Sequence, residues 1–176
     1  MKLLRCKAKD DVLVFGLSDT EGELLQLLLR LYPRIPTTYN RISKTMAPTE
    51  AEEAQRLLEE ELERHRRNNI REVAAVLNER KLLTKASRGF RLTLSPEQFE
   101  WLLQVLNDVR VGSWLAIGAP DTEHGEEIQL TEQTAPHVWA METAGYFEMA
   151  LLSAVDSPSA DPDTAPGQTG IASEEK

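Results

Sequence analysis

Phe90-Arg91-Leu92-Thr93-Leu94-Ser95-Pro96-Glu97-Gln98-Phe99 holds both kinds of structure that this chain builds. Phe90, Leu92 and Leu94 alternate with polar neighbours, the period of two expected of a half-buried strand. Ser95-Pro96-Glu97-Gln98 then reads as a helix start. The serine caps, the proline occupies the first helical position, and Gln98 can reach back to the serine N–H. Phe99, Leu102, Leu106 and Val109 follow at helical spacing and face inward, and the pattern fades near Gly118-Ala119-Pro120. A strand over 88–94 that feeds directly into a long helix excludes both a pure helix bundle and a pure sandwich.

Upstream, residues 2–9 and 12–17 read as a β-hairpin turning at Asp10-Asp11. In its first strand Leu4, Cys6 and Ala8 share one face, and Arg5, Lys7 and Lys9 the other. Ser18-Asp19-Thr20-Glu21 is a capping box, opening a helix with Leu24, Leu25, Leu28 and Leu31 on its core side. Pro33 ends it, and residues 33–47 read as a loop. Thr49-Glu50-Ala51-Glu52 opens a segment free of proline and glycine until Gly89, which predicts a helix over 50–83, roughly 50 Å long. Its apolar stripe is Ala54, Leu58 and Leu62, then Val73, Val76 and Leu77. His65 and Asn69 interrupt that stripe, so the middle of the helix is exposed, kinked or set against a polar partner.

Downstream, residues 121–134 form an acidic loop. Pro136 opens a last helix whose apolar residues include Val138, Met141, Tyr146, Met149 and Leu152. From Asp156 onward there are three prolines and no aromatic residue, the composition of a disordered segment. The expected organisation is one domain over 1–155 and a disordered acidic tail over 156–176. The expected fold class is α+β, mainly α. It has about four helices, one long, and a three-stranded antiparallel sheet made from the hairpin and residues 88–94.

Charge is distributed unevenly. Residues 1–91 hold 18 Lys and Arg against 14 Asp and Glu; residues 92–176 hold two against 15. The basic half raises nucleic-acid binding as an expectation, through Arg64, Arg66, Arg67, Arg71 and the basic residues from Arg80 to Arg91. A surplus of four positive charges is slight, and such a surplus is more often a mixed, solvated surface. No apolar run approaches the ~20 residues of a membrane span, and no apolar segment follows Lys2, Arg5, Lys7 and Lys9 to make a signal peptide. The single cysteine, Cys6, excludes an internal disulfide and fits a reducing cytosol.

No catalytic motif is legible, and no cofactor or metal is expected. Cys6 is the one candidate redox residue, but its face companions Leu4 and Ala8 suit a buried apolar thiol better than a reactive one. The three histidines are scattered, and a Glu-x-x-His metal pair with His65 would need glutamate where Leu62 stands. Glu59, Glu60, Glu61 and Glu63 spread around a helix among arginines and read as a solvated face. Asn107, Asp108 and Arg110 are more specific. They sit in an apolar helix, and Arg110 is the sole cation between Arg91 and Lys176. A structural hydrogen-bond network fits them best, and a ligand site second.

Several of these segments together resemble a bacterial family of domains of unknown function identified with the oxidative stress regulator AosR. They are the basic hairpin, the Ser18-Asp19-Thr20-Glu21 helix, Ile70-Arg71-Glu72-Val73-Ala74-Ala75-Val76-Leu77, the Arg91–Gln98 entry and Trp101–Arg110 with its Leu-Asn-Asp-x-Arg run. The resemblance covers about residues 1–153 and excludes the tail. It implies a cytosolic regulator that senses oxidants through N-terminal cysteines and acts with a transcription apparatus. This chain departs from that pattern, because Cys6 has no second cysteine and only a sulfenic acid, mixed disulfide or intermolecular bond remains to it.

The resulting expectation is a non-enzymatic, cytoplasmic regulatory or adaptor protein. It would bind a protein partner through Arg64, His65, Arg67, Asn69 and Arg71 on the interrupted helix. The alternative is a small-molecule-binding protein or enzyme using Asp108 and Arg110. The partly apolar long helix leaves a homodimer open.

Overall fold

The computed structural model describes residues 1–7, 12–36, 48–79 and 82–156. In chain order the elements are β1 (Lys2–Lys7), β2 (Val12–Leu17), α1 (Asp19–Leu31), α2 (Pro48–Glu79), β3 (Leu83–Lys85), β4 (Phe90–Leu94), α3 (Pro96–Ala116) and α4 (Ala135–Asp156), with a short 3-10 turn at Thr122–His124. Two of the three expected capping boxes close; the third does not, because α2 already begins at Pro48 and Thr49 lies within it. The Ser18 hydroxyl accepts from the Glu21 N–H and the Ser95 hydroxyl from the Gln98 N–H, each answered by the reciprocal side-chain bond.

The sheet is antiparallel with the order β1-β2-β4-β3. It therefore has four strands, correcting the expected three, and α2 ends at Glu79 instead of running to 83. Continuous helix formers carry no mark at this boundary, so pairing decides it. Leu83 sits opposite Leu92 and becomes buried, while a tight return joins the strands through a bond from the Ala86 N–H to the Gly89 carbonyl. Gly89 has φ +78°, and a Cβ there would meet the Leu17 carbonyl oxygen at 2.0 Å.

β1 departs from simple alternation. Its register against β2 slips between Leu3 and Arg5, so Leu3 packs on the core and Leu4 is exposed. The expected face of Leu4 with Cys6 is thus broken at Leu4. Cys6 lies opposite Leu13, and its side chain, like the Asp10-Asp11 turn, lies outside the described residues.

The core forms where the helices meet the sheet. Phe15, Leu92 and Leu94 supply the sheet side; Leu25, Leu28 and Leu29 come from α1, and Leu102, Leu106 and Val109 from α3. Phe99 is partly buried and stacks on Phe15 with centroids 6.2 Å apart. α3 and α4 pack along each other, and α4 turns Ala140, Ala144, Phe147 and Leu151 inward. Its Tyr146, Met149 and Leu152 are exposed instead. α4 is apolar on both sides, so periodicity alone does not choose its buried face.

Glu21 ties three elements together. Its carboxylate accepts from the Met1 α-ammonium, from the Tyr146 hydroxyl of α4 at 2.7 Å, and from the Ser18 N–H and hydroxyl. Burial pushes this carboxyl up, but the four hydrogen bonds outweigh it and hold the group at about 2.

Candidate functional site

Asp108 lies midway along α3 and faces the segment that follows α1. One carboxylate oxygen, Oδ1, accepts from the Arg34 N–H at 2.6 Å and from the Ile35 N–H at 3.3 Å. The carboxylate thus satisfies two amides that have no helix or strand to bond to. No hydrogen bond engages Oδ2 among the described residues. Burial is the largest influence on this carboxyl and raises it above its ordinary value. The two amides and the Arg66 charge pull the other way.

Gly112, one helical turn beyond Asp108, is what lets this segment approach. A Cβ there would stand 2.4 Å from Arg34 Cβ and 2.6 Å from the Arg34 carbonyl carbon. The Arg34 side chain continues across the helix pair. It donates to the Ser113 hydroxyl at 2.9 Å and lies 2.9 Å from His137 Nδ1 at the start of α4. Ser113 in turn donates to the Val109 carbonyl at 2.6 Å. The 32–36 segment is therefore clamped on α3 by its backbone and by one arginine.

The polar middle of α2 closes the third side. Arg66 donates to the Ile35 carbonyl. Asn69 is buried, with its amide 3.4 Å from His65 Nδ1. Burial raises the Tyr32 phenol above its ordinary value, against the opposing pull of its hydrogen bond with Asn69. The interruption of the α2 stripe is thus matched by an internal polar partner. Tyr32, His65, Asn69, Gln104, Asn107 and Asp108 together line a cleft of about 210 Å³.

Two groups that looked separate in sequence, His65 with Asn69 and Asn107 with Asp108, meet at this cleft. The remaining candidates lie elsewhere. Arg110, two residues from Asp108 and hence on another side of α3, pairs with Glu148 of α4 at 2.8 Å. Arg64 pairs with Glu61 on its own helix, and Arg67 and Arg71 are exposed. Lys85 pairs with Asp19 and stands 4.4 Å over the Phe90 ring. Arg80 and Lys81 lie outside the described residues.

Tyr32, Arg34, Gln104 and Gly112 were missed as site residues in the sequence. The available signals were a lone arginine between Pro33 and Pro36 and a glycine inside an otherwise apolar helix. Among the described residues no three His, Cys, Asp or Glu side chains gather as a metal-ligating group, and no helix is long and apolar enough to cross a membrane.

Neither the curated proteins nor the solved structures contain a match to this chain. A family model, DUF2017, described as a domain of unknown function, matches residues 26–155. That span takes in every residue of the cleft and begins after Cys6. The chain belongs to the DUF2017 family.

Proposed function

We propose that the protein is a non-enzymatic regulatory or adaptor protein that recognises a protein partner at the Asp108 cleft. The observation that supports this most is the state of Asp108. Oδ1 is held by two backbone amides while Oδ2 accepts no hydrogen bond among the described residues, so an oriented carboxylate lines a cleft edged by the exposed amides of Gln104 and Asn107. A basic or amide side chain offered by a partner suits it, because charge-assisted bonds to a fixed carboxylate are the stronger kind. Size favours one inserted side chain over a free small molecule. The cleft, at about 210 Å³, falls below the ~300–1,000 Å³ of ordinary ligand pockets. An Asp108–Arg110 catalytic or ligand pair has less support, since Arg110 is engaged with Glu148. The connection to oxidative stress rests on the resemblance to AosR-like regulators, with Cys6 as the one thiol through which it would act.

A photo-crosslinking residue at position 107, compared with one at position 142 on α4, tests the assignment in cells. The expected result is a discrete protein adduct from position 107 that is absent from position 142 and lost with Asp108→Asn. Equal adducts from both positions, or an adduct indifferent to Asp108→Asn, would overturn it.

A further inference from the structure

The helices cover one face of the sheet, where Phe15, Leu17, Leu83, Leu92 and Leu94 enter the core. The strand residues between these point the other way. On that open face Val12 and Val14 are half-buried without joining the core, and Thr84 and Arg91 are exposed. The ladder aligns Lys2, Gly16, Arg91 and Thr84 in one row across all four strands, and Arg5, Val14 and Thr93 in the next. Leu4, which is 55% exposed, lies over Gly16, where an added Cβ would meet its Cδ1 at 3.1 Å.

Charge supplies the second observation. The four strands hold Lys2, Arg5, Lys7, Lys85 and Arg91 and not one acid, in a chain of net charge −9. Lys85 is engaged with Asp19, whereas the exposed Lys2 and Arg91 have no ion-pair partner among the described residues. An open apolar strip with a cationic border is complementary to a segment that is both acidic and apolar. A nucleic acid fits less well. The open face presents no aromatic ring on which a base could stack, since Phe15 is buried in the core and Phe90 pairs with Leu17 on the helix-covered face. An extended polyanion would also meet the surplus of acids in the rest of the chain.

We propose that the open sheet face docks an acidic amphipathic segment of a protein partner. Its carboxylates pair with Lys2 and Arg91, and its apolar side chains pack on Leu4, Val12 and Val14. The surface shares no residue with the Asp108 cleft, so it stands or falls apart from the reading of that cleft.

The probe is a capped seven-residue peptide of alternating glutamate and leucine, titrated into the full chain labelled with nitrogen-15 at neutral pH and low salt. The expected result is a saturable shift of the Val14, Gly16, Arg91 and Thr93 amides, with those of Asn107 and Asp108 unmoved. Lys2→Gln/Arg91→Gln should weaken binding roughly fivefold, as loss of two exposed ion pairs requires. Leu4→Ser should weaken it too, and a peptide with serine in place of leucine should bind less tightly. Sheet-face amides unmoved at millimolar peptide, equal binding of the serine peptide, or no weakening in either variant would overturn the proposal. So would tighter binding of a ten-nucleotide oligothymidylate at the same face. A shift of these amides on neutralising Asp161, Asp163, Glu174 and Glu175, before any peptide is added, would assign the face to the chain's own acidic segment and overturn it as well.

Discussion

At Asp108 the hydrogen bonds and the charge act in opposite directions on stability. The bonds hold the Arg34 and Ile35 amides, while burial opposes the ionised form. Asparagine keeps an acceptor oxygen and removes the charge, so Asp108→Asn should lie within about 1 kcal/mol of the parent at neutral pH. Asp108→Ala strands two amides and should cost about 1–3 kcal/mol in urea unfolding. The pH dependences of two acids also run opposite ways. Glu21 is lowered from 4.5 to about 2, so its contribution is complete above about pH 4.5 and is lost as the pH falls toward 2. Asp108 is raised, so its contribution is complete below its ordinary 3.8 and is lost as the pH rises through its folded value. Urea midpoints between pH 2 and 7 should therefore fall less steeply on acidification in Glu21→Gln than in the parent.

Between elements, the closest fit is that of the 32–36 segment on α3. A methyl group at Gly112 meets backbone atoms of Arg34 and Ile35, which cannot rotate aside as a side-chain tip can. Gly112→Ala should therefore cost about 1–3 kcal/mol despite a gain in helix propensity of up to ~1 kcal/mol. It should also weaken the position-107 adduct, because the displaced segment carries the amides that orient Asp108. Gly22 is the comparison on α1. There the added Cβ meets the partly buried Phe90 ring at 2.1 Å, so Gly22→Ala should destabilise the chain yet leave that adduct intact. Thermal unfolding of both variants, read beside the crosslinking yield, separates the two cases.

Across the whole molecule, burial is uneven along α2. From Asn69 onward it sets Asn69, Val73 and Val76 into the body of the protein, whereas residues 52–64 are exposed or only partly buried. Hydrogen exchange should show the amides of 52–64 opening well before those of 73–77, with the central turns of α3 the slowest. Equal protection along α2 would contradict that gradient. The same helix shows where sequence reading stops. The capping boxes at Ser18 and Ser95, the helix after Pro96, the strand through Leu92 and the broken stripe at His65 and Asn69 were all legible, because each depends on neighbours within about one turn. The β3 strand, the inward face of α4 and the bulge in β1 were not, because distant pairing and packing select among locally equivalent states. By itself, the sequence determined the α+β class and the polar character of Asn69 and Asp108. Only tertiary structure brought residues 32–36, 65–69 and 104–108 to one cleft and turned Arg110 away toward Glu148. The physical reason is that a buried polar group must find a partner, and sequence announces the need without naming the distant residue that meets it.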